Sequence, residues 1–154
     1  MIALLIAMLM AETPNAELSR SMAAREALAS EVISAAEKYD VDPILLTLWG
    51  YFESTLYQRA RGKLGEVGVM QVHGKSRSVC ESVGLDVMKR SENIECGAIL
   101  MDMNRRYCGS MDRDLLRYAS GRCNGTPRAI RKVSWRLREL DRWKRRLQYA
   151  SQQR

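Results

Sequence analysis

Histidine, proline and phenylalanine are scarce in this sequence of 154 residues, which has one His, three Pro and one Phe. The four cysteines form no Cys-x-x-Cys pair, so a zinc site would need an unusual ligand set, and we expect no metal and no cofactor. The longest apolar run is far shorter than the ~20 residues that a relaxed transmembrane helix needs. With 46% hydrophobic residues and no repeat, the chain fits one domain whose core is aliphatic and Met-rich.

The four cysteines are Cys80, Cys96, Cys108 and Cys123, and disulfides explain them better than a metal does. Four cysteines allow three pairings. We favour Cys80–Cys96 and Cys108–Cys123, because each bond would close a short loop between neighbouring helices. Disulfides imply an oxidising compartment; the alternative is buried free thiols in a cytosolic protein.

The apolar segment 1–11 turns polar at Glu12 and is similar to the apolar region of an export signal, with Ala11 as a cleavage point. No Lys or Arg precedes it, so the positively charged start of such a signal is missing. A retained anchor, or a segment packed against another protein, is the alternative. We therefore separate residues 1–14 from the rest, and we expect membrane contact only through residues 1–11.

Most of the chain has the pattern of helices. Apolar residues recur at helical spacing from about Asn15 to Tyr39. Asp42-Pro43 is an N-cap followed by proline at the first helical position, and the following nine residues carry no charge, which predicts a fully buried helix. The glycine-punctuated stretch 62–74 is too irregular for a helix, so the predicted class is all-α with a minor β-hairpin.

Thr126-Pro127 repeats the cap-and-proline signal and opens a long basic helix that reaches about Tyr149. Its predicted apolar seam consists of Ile130, Val133, Leu137, Leu140 and Leu147. We assign residues 126–154 to this helix.

Glu53 closes the buried helix and is the most informative residue. The low dielectric of the core and the negative end of the helix both disfavour its charged form. A carboxylic acid kept neutral near physiological pH is what glycosidic cleavage requires, because the leaving oxygen must receive a proton. By position alone, a helix-terminal Glu that turns out to solvent is an equally good interpretation.

A glycine-containing segment follows, in which Gly65 and Gly68 precede Val69-Met70-Gln71. The two glycines permit positive φ and close backbone approach. The Gln71 amide offers a donor and an acceptor, which suit the hydroxyl and acetamido groups of an amino sugar. An ordinary glycine turn would also explain this segment on its own.

Together with Asn93, Ile94 and Gly97 on one helix and Tyr118 and Gly121 at the end of another, these residues resemble the catalytic domain of the soluble lytic transglycosylases, relatives of goose-type lysozyme. The matching residues are Glu53, Ser54, Gly65, Gly68, Met70, Gln71, Asn93, Ile94, Gly97, Tyr118 and Gly121. The resemblance covers about residues 32–125. It implies a lysozyme-like globular domain over residues 15–125, with the basic helix packed on it or extending it.

The sequence departs from the family pattern at several positions. Val69 stands in place of Leu, Ala119 in place of the usual Asn, and Arg117 in place of a small residue. His73-Gly74 replaces the residues that usually follow the Met-Gln pair. These changes leave the acid in place and alter the surroundings that would contact substrate.

The resemblance implies cleavage of the β-1,4 bond between N-acetylmuramic acid and N-acetylglucosamine in peptidoglycan, with a 1,6-anhydro end as product. Glu53 would act as acid and then as base, so no second catalytic carboxylate is needed, and Glu66 is expected to have a solvated loop role. Met70 and Gln71 would line the sugar-binding cleft, and Ser54 and Tyr118 would orient Glu53 or hydrogen-bond to it.

The expected partners are peptidoglycan strands and other proteins of a virion or secretion assembly that opens the wall locally. The expected location is the periplasm or cell envelope, reached by export or virion delivery. One alternative is a hydrolytic lysozyme with Glu66 or another acid as base. A second is a basic structural protein that binds nucleic acid or an assembly, since the net charge is +7. We do not expect nucleic acid, because the basic residues spread around the C-terminal helix.

Overall fold

The computed structural model describes residues 2–152, without the side chains of residues 4, 5, 150 and 151. Residue 1 of the apolar segment and residues 153–154 of the basic helix lie outside the described residues. The structure is 71% helical, which confirms the all-α class. Its helices are α1 (Ile2–Ala11), α2 (Ala16–Arg20), α3 (Met22–Lys38), α4 (Pro43–Ser54), α5 (Gly74–Ser82), α6 (Arg90–Cys108), α7 (Met111–Ser120) and α8 (Pro127–Gln152).

The chain forms two compact units, Met1–Ile99 and Leu100–Arg154. The division falls inside α6, so the first unit contains α1 to α5 and the second contains α7 and α8. The sequence predicts domain boundaries after residues 14 and 125. These positions differ from the division between the two compact units, and the boundaries stay predictions.

The apolar N-terminal segment belongs to the core of the first unit. Helix α1 packs along α3, and its residues Ile6, Ala7 and Met10 are fully buried, as are Leu28 and Ala29 of α3. The apolar character of the segment therefore serves packing within this unit, and its export role stays a prediction. Within residues 2–152, no helix combines the length and the hydropathy needed to cross a bilayer.

The amphipathic stretch predicted from about residue 15 to residue 39 is two helices rather than one. Asn15 caps α2, and its Oδ1 accepts the N–H of Leu18 at 3.5 Å. Ser21 then leaves the helical conformation, with φ −122° and ψ 112°, and its hydroxyl accepts the N–H of Ala24 at 3.1 Å to begin α3. Hydrophobic spacing did not reveal this break, because a capping serine changes the backbone without changing the apolar pattern.

The expected β-hairpin exists only as isolated antiparallel bridges, between Arg61 and Val67 and between Val67 and Val72. The N–H of Val67 donates to the carbonyl of Val72 and the N–H of Val72 donates back, each at 3.0 Å. These two bonds close a tight turn over residues 67–72, which we call the hairpin turn.

Both predicted disulfides are present, Cys80–Cys96 in the first unit and Cys108–Cys123 in the second. They join residues 16 and 15 positions apart, with Cα atoms 5.5 Å apart in each case. The pairing confirms the sequence prediction and indicates an oxidising compartment rather than a reducing cytosol.

Helix α8 begins where the cap-and-proline signal places it. The N–H of Ala129 donates to the Thr126 hydroxyl at 3.2 Å, and Val133 and Leu140 are buried as predicted. Ile130 was wrongly placed in the apolar seam, because it is 45% exposed while its neighbour Ala129 is buried. Val133, Leu140 and Leu147 keep the inferred phase, and Ala129 takes the place of Ile130 at the start of the seam.

Candidate active site

Helix α4 brings Glu53 to the edge of the core. The Asp42 carboxylate caps its start by accepting the N–H groups of Ile44 and Leu45, at 2.8 and 3.3 Å. The middle of the helix, from Leu45 to Gly50, is buried. Glu53 lies one residue before the end of α4 and is half-buried. The sequence therefore delivers a carboxyl group to the carbonyl end of a core helix, next to solvent.

The backbone after Glu53 turns sharply through two left-handed residues that are not glycine. Thr55 has φ 55° and Leu56 has φ 61°. Such conformations cost of order 1 kcal/mol each and persist only where the surroundings hold them. Leu56 is 3% exposed, so its buried side chain anchors the turn. Gln71, in the hairpin turn, is a further residue of this kind with φ 49°. Held backbone of this type concentrates at functional sites.

Ser54 joins the end of α4 to the hairpin turn. Its hydroxyl donates to the carbonyl of Val69 at 2.8 Å, lies 3.1 Å from the carbonyl of Gly50, and accepts the N–H of Tyr57 at 3.1 Å. Ser54 is thus a positioning residue that fixes the hairpin turn beside Glu53. The orienting hydrogen bond to Glu53 expected from the sequence stays a prediction.

Asn93 of α6 holds the hairpin turn from the other side and is fully buried. Its Oδ1 accepts the N–H of Met70 at 2.8 Å, and its Nδ2 donates to the carbonyls of Val67 and Val87 at 3.0 and 2.9 Å. A Cβ at Gly68 would overlap the Asn93 amide. The turn therefore needs both the amide and the glycine.

Met70 lies in the core rather than on the surface, with 1% of its side chain exposed. It packs against two helices where they carry glycine. A Cβ at Gly97 of α6 would lie 2.6 Å from Met70 Cε, and one at Gly50 of α4 would lie 3.4 Å from Met70 Sδ. Met70 therefore supports the hairpin turn from inside, and it does not present its side chain to a cleft.

Gln71 is half-buried, and its Nε2 donates to the carbonyl of Gly68 at 2.9 Å. This bond, with the N–H of Gln71 donating to the same carbonyl at 3.2 Å, fixes the side chain over the turn. Of the two residues predicted to line a cleft, Gln71 is the one near the surface.

Glu66 folds back onto its own loop. Its Oε2 accepts the N–H of Leu64 at 2.9 Å, and the backbone N–H groups of Glu66 and Leu64 hold the pKa of its carboxyl below the usual value. A carboxylate stabilised in this way is a weak base. The geometry fits the loop role expected from the sequence.

Tyr118 lies on α7, in the second unit, and is half-buried. Its predicted contact with Glu53 stays a prediction. Within residues 2–152, no cluster of three His, Cys, Asp or Glu side chains has the arrangement of a metal site.

Asp114, also on α7, is a buried acid that sequence reasoning missed. Its side chain is in the core, with 3% of the residue exposed, and its Oδ1 has no hydrogen-bond partner among the described residues. Burial raises the pKa of Asp114 to about 7, with Asp112 adding to the rise and Arg105 opposing it. The position of Asp114 in the sequence gives little indication that it is buried. It lies in the first turn of a helix, where an acid is ordinarily favourable and exposed.

No protein-family model matches this chain, and comparison with curated proteins gives no match.

Proposed function

We propose that this protein is a peptidoglycan lytic transglycosylase with Glu53 as its catalytic acid and base. The observation that carries the proposal is the hydrogen-bonded group of residues next to Glu53. Ser54, the hairpin turn and Asn93 are joined by direct hydrogen bonds, and Met70 packs against Gly97. These residues match the family motifs, and in the first unit they form one support for the end of α4.

The proposed reaction begins with protonated Glu53. The carboxylic acid donates its proton to the oxygen that links N-acetylmuramic acid to N-acetylglucosamine, and the C1–O bond breaks. The carboxylate then takes the proton from the muramic C6 hydroxyl while that oxygen attacks C1. A C1–O6 bond replaces the glycosidic bond, Glu53 regains its proton, and no water is consumed.

The stabilised charge of Glu66 favours attack by the C6 hydroxyl over hydrolysis that needs an acid and a base. Its backbone hydrogen bonds stabilise the charged form, so it is poorly suited to remove a proton from water. An attack by the C6 hydroxyl needs no second carboxylate, because the substrate itself supplies the nucleophile.

The setting of the activity is also proposed. The two disulfides indicate an oxidising compartment, and peptidoglycan lies in such a compartment. We propose that the protein works in the periplasm or cell envelope and opens the wall locally for a virion or a secretion apparatus.

Product analysis tests the proposal directly. Purified peptidoglycan is digested with the wild-type protein and with the Glu53→Gln variant, and the fragments are identified by mass spectrometry. We expect 1,6-anhydro ends from the wild type and a loss of activity of at least about 100-fold in the variant. Glu81→Gln, a change at an exposed Glu of α5, is the matched control and should retain full activity.

Two outcomes would overturn the proposal. Reducing ends without anhydro sugars would indicate a hydrolytic lysozyme, and loss of activity in Glu66→Gln would then identify the base. Full activity in folded Glu53→Gln, with an unchanged thermal melting curve, would remove Glu53 from the reaction.

A further inference from the structure

A surface cavity of about 470 Å³ lies within the second unit, around the end of α7. Its charged side chains are Arg113, Arg117 and Arg122, and none of its lining residues is acidic. Tyr107 of α6 also lines it and is 73% exposed. We call this cavity the arginine pocket.

The backbone brings the three arginines together. Arg113 and Arg117 lie one turn apart on α7, and Gly121, with φ 74°, ends the helix and returns the chain at Arg122. The disulfide between Cys108 and Cys123 then ties this return to the end of α6. The short closed loop restricts the freedom of all three positions, so the charges are already assembled before any ligand arrives.

The contacts found for two of these arginines are with neutral groups. Arg113 Nη2 donates to Asn124 Oδ1 at 3.0 Å, and the Arg117 guanidinium lies 3.9 Å from the centre of the Tyr107 ring. No carboxylate of the described residues forms an ion pair with Arg113, Arg117 or Arg122.

Two arginines of α6 are arranged differently. Asp102 accepts from Arg105 at 3.0 Å and from Arg106 at 2.9 Å, so both guanidinium groups form an ion pair with the same carboxylate. Among the described residues, the same unit thus contains one arginine pair that shares a carboxylate partner and a group of three that has none. Like charges one turn apart destabilise a helix slightly, and a bound anion would remove that repulsion.

The helix dipole does not explain the arrangement. A cation in the last turn of a helix is favourable, and this accounts for Arg117. Arg113 lies in the first turn of α7, at the positive end, where a cation is unfavourable. Arg122 lies beyond the helix.

We propose that the arginine pocket binds a phosphate group, either free inorganic phosphate or a phosphate monoester. Guanidinium groups bind phosphate oxygens through paired N–H donors. The charge of three guanidinium groups is better matched by a phosphate dianion than by a single carboxylate. The stacking of Arg117 on Tyr107 orients its planar donors. This site is separate from the proposed reaction at Glu53 and does not depend on it.

Titration of the full-length protein at constant ionic strength tests the site. Inorganic phosphate, glycerol 3-phosphate and acetate are added in turn, while ¹H–¹⁵N resonances of arginine side chains are followed by NMR. We expect saturable shifts of Arg113, Arg117 and Arg122 with inorganic phosphate, and weak, unsaturated shifts with acetate. Equal binding of glycerol 3-phosphate would indicate a phosphate carried on a larger molecule; tighter binding of inorganic phosphate would indicate the free ion.

Single-charge variants separate the pocket from the general positive charge of the protein. Arg117→Gln and Arg122→Gln should each weaken phosphate binding about tenfold. Arg138→Gln, at an exposed arginine of α8, removes the same charge elsewhere and should change affinity less than about twofold, because exposed charges are screened by salt. Arg122 lies outside the helices, so its variant keeps the test valid if Arg117→Gln fails to fold.

The proposal is overturned if inorganic phosphate gives no saturable shift at these arginines. It is equally overturned if Arg138→Gln weakens binding as much as Arg122→Gln does, because binding would then follow net charge. Duplex DNA is added to the same sample as a last ligand, and shifts that appear only with DNA and only at arginines of α8 would replace the pocket with a nucleic-acid surface.

Discussion

Asn93 in the first unit and Asp114 in the second are buried to a similar extent but differ in how far their side chains are hydrogen-bonded. Both are nearly or fully buried. Asn93 makes three hydrogen bonds to backbone groups of the loops that it joins, whereas Asp114 Oδ1 has no partner among the described residues. An amide carries donors and an acceptor and no charge, so it can replace water completely. A carboxylate only accepts, and its charge is costly in the core until it takes up a proton.

The largest effect is expected from removing the satisfied amide. Asn93→Ala removes the hydrogen bonds of the amide to the N–H of Met70 and to the carbonyls of Val67 and Val87. The Val67 carbonyl still accepts the N–H of Val72, so the cost falls mainly on the other two groups, at about 1–3 kcal/mol for each buried group left unsatisfied. We expect urea denaturation to show a loss of about 3–5 kcal/mol in the free energy of unfolding.

Asn104→Ala is the control for this change. Asn104 is a half-buried Asn of the same helix, and no hydrogen bond of its side chain occurs in the described part of the chain. We expect it to lower stability by less than about 0.5 kcal/mol. Similar losses in the two variants would mean that the hairpin turn does not depend on Asn93.

The second prediction concerns the pH dependence caused by Asp114. Its pKa is raised to about 7 in the folded protein, so between pH ~4 and 7 the folded state keeps a proton that the unfolded state has lost. The contribution of Asp114 to stability is therefore greatest below pH ~4 and is lost as the pH rises towards 7, by up to about 1.4 kcal/mol per pH unit.

Asp114→Asn removes this titration. The difference in unfolding free energy between wild type and variant, measured by urea denaturation at several pH values, should fall across that window. Asp112→Asn, at the exposed neighbouring acid, should leave most of the slope in place. A difference that is independent of pH would show that Asp114 is not the group that titrates.

The smallest effect is expected at the contact between Gly97 and Met70. In Gly97→Ala the new Cβ would lie 2.7 Å from Met70 Cγ, so Met70 must move, and overpacking of this kind costs about 1–3 kcal/mol. Alanine also favours the helix by about 1 kcal/mol, which leaves a net loss of about 1 kcal/mol in thermal or urea unfolding. A double-mutant cycle with Met70→Ala isolates the contact. That change removes the atoms beyond Cβ and leaves the Cβ of residue 70 at 3.1 Å from the new Cβ, so the loss caused by Gly97→Ala should become smaller.

Local chemical signals predicted much of the fold. Asp42-Pro43 and Thr126-Pro127 start α4 and α8 as expected, because capping depends on adjacent residues alone. The disulfide pairing followed from short separations in sequence. Ser21 was missed because a cap in the middle of an apolar pattern does not alter its period.

The candidate site was predictable in its residues but not in their orientation. The glycine-containing segment and Asn93 were singled out, yet sequence spacing could not show that Met70 points into the core and Gln71 towards the surface. The arginine pocket depends on a return of the chain after Gly121 and on a disulfide, so its three charges are scattered in the sequence.

The order of the disulfides bears on how the protein is made. Each bond joins consecutive cysteines, Cys80 with Cys96 and Cys108 with Cys123. A chain that emerges with its N-terminus first presents both thiols of the first bond before either thiol of the second. The two native bonds can therefore form one after the other, without a non-native disulfide that must later be exchanged. An oxidant alone can then form both bonds in the order of the chain, without a disulfide isomerase.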